Sequence, residues 1–130
     1  IGEVIGRGDG YYRRALFNED AQPISFAIQP RTQVVRLEMY NVAEAITLGA
    51  LLHRDIPEAY LLAHKLAKDV ENDHRVPAGH FITRVYFGGI KHKFPYLRWP
   101  QAQVFYAMTN LLMASMVASQ LELHETLDSR

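Results

Sequence analysis

Between Arg98 and Glu122 lie 23 consecutive residues without a charge. A stretch of roughly 20 apolar residues is long enough to cross a bilayer, so this segment is either a membrane span or a helix that the rest of the fold must cover. Gln101, Gln103, Thr109, Asn110, Ser115, Ser119 and Gln120 interrupt it. Such a polar load is costly in hydrocarbon and tolerable inside a helical domain, so a membrane partner is not expected. Pro100 suits a first helical turn, and Gln101, Val104, Phe105, Met108, Leu111, Leu112, Ser115, Met116 and Leu121 recur at helical spacing. The helix is expected to run to about Glu125.

Whether 130 residues can supply that cover depends on the rest of the chain. Apolar residues make up 48% and charged residues 22%, the balance of one globular domain and not of a disordered chain. Lys and Arg number 14, as do Asp and Glu, so there is no overall positive field to hold phosphates, and nucleic acid is not an expected partner. With no Cys, zinc-thiolate, redox and thiol-nucleophile chemistry are absent. The opening IGEVIGRGDG has neither the basic nor the apolar region of a secretory signal and starts at Ile1. The expectation is a cytoplasmic single domain over residues 1–130 that is a piece of a longer protein.

Residues 32–53 hold no Pro and one Gly, and Val34, Leu37, Asn41, Ala45, Leu48 and Leu52 fall at three- and four-residue steps. This spacing predicts a helix, apolar nearly all round over residues 42–52 and therefore an inner one. Asp55-Ile56-Pro57-Glu58 then has the form of an N-terminal cap, Asp55 accepting from the Glu58 N–H with Pro57 in the first turn. The helix it opens, to about Asn72, sets Tyr60, Leu61, Ala63, His64, Leu66, Ala67 and Val70 against Lys65, Lys68, Asp69 and Glu71. It is an outer helix, and the short link makes the two an antiparallel hairpin.

Two short β-hairpins are expected beside the helices. One would pair residues 11–17 with 24–28 across a polar turn at residues 18–23. In the other, Phe81, Thr83, Val85 and Phe87 alternate with Ile82, Arg84 and Tyr86, and Gly88-Gly89 forms a two-residue turn. That register sets Phe87 against Ile90, Val85 against His92 and Arg84 against Lys93, a like-charge pair that points to an exposed or ligand-facing side.

Arg98-Trp99-Pro100-Gln101-Ala102-Gln103 places a guanidinium, the only Trp and two amides at a helix start. Trp offers a flat stacking face, and Arg and Gln offer donors for hydroxyl or carboxylate groups, a combination that suits a sugar or sugar acid. Arg84, Tyr86, His92 and Tyr96 are expected to line one cleft with Arg98, Trp99 and Gln101. Glu38 and Glu44 are the acid–base candidates, but they lie about 240° apart at 100° per residue, so they form no carboxylate pair by themselves. The six His lack metal-ligand spacing, so neither a metal nor another cofactor is expected.

The runs Leu37-Glu38-Met39-Tyr40-Asn41-Val42-Ala43-Glu44-Ala45-Ile46, Gly79-His80-Phe81-Ile82-Thr83-Arg84 and Arg98-Trp99-Pro100-Gln101-Ala102-Gln103-Val104-Phe105-Tyr106-Ala107 resemble the last hairpins of six-hairpin, glycosidase-like (α/α) toroids. The resemblance covers roughly residues 11–112. It implies a mainly α fold, antiparallel helical hairpins forming the C-terminal part of an (α/α) toroid, with the remaining helices of that toroid as partners. It also implies a role in carbohydrate, in particular polysaccharide, metabolism, with a saccharide cleft at the inner-helix ends. Members act as glycoside hydrolases, lyases or epimerases, and some relatives in polysaccharide-biosynthesis systems have no known activity. Two other functions compete: a terpenoid-cyclase or prenyltransferase toroid, which would need an Asp-rich motif that is not seen, and a helical protein-interaction module that hides residues 99–121 against a partner.

Overall fold

The computed structural model describes residues 2–28 and 34–128, the side chains of residues 97, 98 and 121–128 excepted. Among the described residues the fold is mainly helical, with four α-helices and a small three-stranded antiparallel sheet.

The first helix, α1 (Gly2–Ala15), forms where four glycines stand at positions 2, 6, 8 and 10. Each costs roughly 0.5–1 kcal/mol against Ala in a helix interior, so propensity does not make this helix. Tertiary contacts and charge placement do. Glu3 in the first turn and Arg13 and Arg14 in the last complement the helix dipole. Asp9, buried, pairs with Arg13 one turn on at 2.7 Å. Tyr12 packs on the core and meets Phe17 edge to face at 5.3 Å. The expected strand over residues 11–17 is therefore mostly helix. Of that hairpin only the isolated Phe17–Pro23 bridge remains, closed by Asn18, whose Oδ1 accepts from the N–H groups of Asp20 and Gln22.

The helix expected over residues 32–53 divides in two. Residues 32 and 33 lie outside the described residues, β1 (Val35–Glu38) is extended, and α2 (Met39–Leu51) follows directly. Strand wins because β1 finds an edge: it pairs antiparallel with β2 (Arg84–Tyr86), Leu37 opposite Val85 and Glu38 opposite Arg84. The Met39 N–H continues the ladder by donating to the Thr83 carbonyl at 3.0 Å.

The apolar helix α2 lies between α3 (Pro57–Asp73) and α4 (Ala102–Asp128), which touch each other little. Its Met39, Val42, Ala43, Ala45, Ile46, Gly49 and Ala50 are buried, as befits an inner helix. From α3 it receives Ala59, Ala63, Leu66 and Val70, one stripe at helical spacing. Val42 lies near Leu66 and Val70, and Gly49 near Ala59, so the two helices run antiparallel as expected. Gly49 is the point of closest approach: a Cβ there would overlap the Ala59 carbonyl oxygen and come within 2.6 Å of Ala63 Cβ. Pro57 does sit in the first turn of α3, but the N-cap is Ile56 and no side chain caps it, so the Asp55 cap is not formed.

From α4 the core takes a single stripe, Val104, Ala107, Leu111 and Ala114. Phe105, Tyr106, Leu112, Met113 and Met116 remain exposed on the same helix. Among the described residues no helix is long and apolar enough to cross a membrane. The helix extends to Asp128, slightly beyond the expected end.

The second hairpin is present with a register one residue away from the expected one. Arg84 stands opposite His92 and Val85 opposite Lys91 of β3 (Lys91–His92). The Tyr86 N–H donates to the Ile90 carbonyl, leaving a three-residue loop, Phe87-Gly88-Gly89, with both glycines at positive φ. The like-charge Arg84–Lys93 pairing is thereby avoided, and Glu38 on the other neighbouring strand takes up Arg84.

Candidate functional site

Three local features shape a cleft beside the sheet. After β3, residues 93–96 form no regular element, turn at Pro95 with the Tyr96 N–H on the Phe94 carbonyl, and are tied to the segment before β2: His80 Nε2 donates to the Lys93 carbonyl at 2.8 Å, and Thr83 Oγ1 to the Phe94 carbonyl at 3.1 Å. The chain then makes a wide five-residue turn, Leu97–Gln101, of π-helical form, and only at Ala102 becomes α-helical. Pro100 inside this turn has no N–H to place. Gln101 fixes the junction, because its side-chain amide accepts from the Phe81 N–H at 2.9 Å and donates to the Phe81 carbonyl at 2.7 Å.

The resulting cleft has a volume of about 890 Å³ and is lined by Thr83, Arg84, Tyr86, His92, Phe94, Pro95, Tyr96, Trp99 and Pro100. That lies within the usual small-molecule range of roughly 300–1,000 Å³. Its walls are aromatic. His92 and Tyr96 are stacked within 4° of parallel at 5.7 Å, Tyr86 stands edge-on to His92, and Phe94 leans on Tyr96 at 4.8 Å. Trp99 is two-thirds exposed, with Tyr40 of α2 tilted against it at 6.3 Å. Large aromatic faces left open around a concave surface are unusual away from a binding site.

One ion pair supplies the charge. Arg84 lines the cleft, and its Nε contacts Glu38 Oε1 at the junction of β1 and α2. Burial pushes the Glu38 carboxyl above its ordinary value, and the neighbouring guanidinium opposes that shift without cancelling it. His92 Nδ1 is buried with no hydrogen-bond partner among the described residues.

Five of the expected ligand-facing residues, Arg84, Tyr86, His92, Tyr96 and Trp99, thus share one cleft. The Arg98 side chain lies outside the described ones. Gln101 is beside the cleft, but both ends of its amide are bonded to Phe81, so it positions the wall and does not face a ligand. Glu38 stands behind Arg84. Glu44 is exposed on α2, where its charge is felt by Tyr12 of α1, and it does not line the cleft. Sequence reasoning missed Thr83, Phe94, Pro95, Pro100 and Tyr40. Phe94 and Pro95 sit inside the basic–aromatic run His92-Lys93-Phe94-Pro95-Tyr96, which is the signal that could have found them.

Comparison with protein-family models, with curated proteins and with solved structures finds no match to this chain.

Proposed function

We propose that the protein binds a saccharide in the cleft between the β2–β3 hairpin and the start of α4, as part of an (α/α) toroid of carbohydrate metabolism. The observation that carries this is the pairing of open aromatic faces, Trp99, Tyr96 and Phe94, with the half-exposed guanidinium of Arg84. A sugar ring presents an apolar face of C–H groups to an aromatic plane and hydroxyls to polar donors, and the cleft offers both. The exposed side of α4, with Phe105, Leu112, Met113 and Met116, is where further helical hairpins of such a toroid would pack. If the protein is an enzyme, of glycoside hydrolase, lyase or epimerase type, Glu38 is the acid–base candidate by its nearness to Arg84. Glu44 would serve only with a group from elsewhere.

Trp99 is the sole Trp, so its fluorescence reports on the cleft directly. Titration with neutral and acidic oligosaccharides is expected to give a saturable shift that Tyr96→Ala weakens. No response to any saccharide from a folded chain would overturn the proposal. A second function, a helical interaction module, draws on the same uncharged face of α4. A monomeric chain that binds no hydrophobic dye would count against it.

A further inference from the structure

None of the 14 acidic residues lies between positions 74 and 121, whereas Arg75, Arg84, Lys91, Lys93 and Arg98 do. A chain of zero net charge has therefore placed an unbalanced cationic block in the segment that builds the cleft. Some of that charge is answered locally: Arg75 pairs with Glu71 at 3.1 Å, and Lys91 Nζ donates to the Asp73 carbonyl. Arg84 is answered on one edge only. Its Nε faces Glu38, and the Arg84 side chain is still 39% exposed where it lines the cleft.

The lining carries the complementary deficit. Hydroxyl-rich neutral sugars are held by acceptors as much as by donors, and carboxylate and amide side chains supply most of these acceptors. Among the described residues no carboxylate or amide lines this cleft, Gln101 is committed to Phe81, and Thr83 gives its hydroxyl proton to the Phe94 carbonyl. What faces the space is a half-exposed guanidinium among aromatic rings. A planar guanidinium edge matches a carboxylate in geometry as well as charge, and such charge-assisted bonds are about twice as strong as neutral ones.

We infer that the cleft selects a carboxylate-bearing saccharide, a uronate or other sugar acid, and that Arg84 is the residue that reads the carboxylate. This rests on the saccharide reading of the cleft. The ring stacks on the aromatic wall, the carboxylate lies on the terminal nitrogens of Arg84, and the Glu38 contact on Nε keeps the guanidinium from turning away.

The test compares oligogalacturonate with its methyl ester, which differ only at the carboxyl group, and adds a sulfated galactan oligosaccharide as a different anion, each titrated into the intact chain with Trp99 emission as the signal. The free acid is expected to bind roughly 10- to 100-fold more tightly than the ester, the range for one hydrogen-bonded charge. Arg84→Gln should abolish that ratio, with the free acid losing far more affinity than the ester. Because Arg84→Gln strands the half-buried Glu38, the double variant Arg84→Gln with Glu38→Gln provides a neutral pair in the same place and should show the same loss of preference. Equal binding of acid and ester overturns the inference and leaves the saccharide cleft standing. Preference for the sulfated ligand overturns the assignment to a carboxylate. Failure of all three ligands, with the chain folded by circular dichroism, overturns both.

Discussion

Among single residues, the site depends on side chains whose work is to hold the backbone in place. Gln101 closes two hydrogen bonds on Phe81 and thereby joins the first turn of α4 to the strand that carries Arg84. Gln101→Ala would leave a part-buried N–H and carbonyl unmet. The expected cost is about 1–3 kcal/mol in denaturant unfolding, with a shift of Trp99 emission in the folded state. Gln101→Glu should be worse at neutral pH, since a carboxylate would then face the Phe81 carbonyl. Glu38 and Trp99 show how far residue types alone can be followed. A Trp beside an Arg pointed to a stacking site, and the cleft does gather five residues picked out by type. That Tyr40 tilts against Trp99, that Glu38 faces Arg84 and that Glu44 stands apart all depend on how β1 meets α2, and no local pattern encodes that.

Among the elements, close packing decides against propensity in both directions. Gly49 sits where α2 and α3 approach most closely. Helix propensity favours Gly49→Ala by up to about 1 kcal/mol, but the added Cβ meets backbone, which cannot swing aside. Overpacking of this kind costs roughly 1–3 kcal/mol, so a lower unfolding midpoint is expected. Gly6→Ala on α1 is the control: a methyl group there would meet nothing within 4 Å, and the substitution should raise the midpoint slightly. The same conflict explains where the sequence pattern misled. Val34 and Leu37 stand at a helical step, but Val35 and Leu37 stand at a strand step within the same short run, and the free edge of β2 settled the matter. The expected strand over residues 11–17 likewise gave way to a helix that begins in a glycine-rich stretch of low propensity, because Asp9, Tyr12 and Phe17 have partners. By contrast the extent of α3 was legible, though not its cap, since one apolar stripe and a leading proline need no distant partner to be recognised.

Across the whole molecule, two titrating groups link the helices to the sheet. His74, at the end of α3, is held below its ordinary value chiefly by burial, with the Lys91 charge adding to it and Asp73 and Asp69 opposing. The folded state therefore binds its proton less readily than the unfolded chain. Its contribution to stability is full above the ordinary histidine value and is lost as pH falls through the lowered one. Glu38 works in the other direction. Its raised value means a contribution present at low pH and lost as pH rises through the carboxylate range. Urea midpoints measured from about pH 4 to 8 should show His74→Gln reducing the loss on acidification and Glu38→Gln reducing the decline as pH rises through the carboxylate range. Unchanged differences between variant and parent across that range would show that neither group couples to folding.

Periodicity and residue chemistry were enough to set the helical character of the chain, the antiparallel α2–α3 hairpin, the inner position of α2 and most of the aromatic and basic residues that meet in the cleft. These signals act over a few turns of chain and are written in the order of the residues. Folding in three dimensions was needed to make residues 35–38 a strand, the glycine-rich start a helix and the second hairpin a three-residue turn, and to place Glu38 against Arg84. Each of those outcomes turns on a partner outside the local pattern. A free strand edge, a buried counter-charge or a close helix crossing exists only once the chain has folded, and its energy exceeds the fraction of a kcal/mol by which local preferences differ.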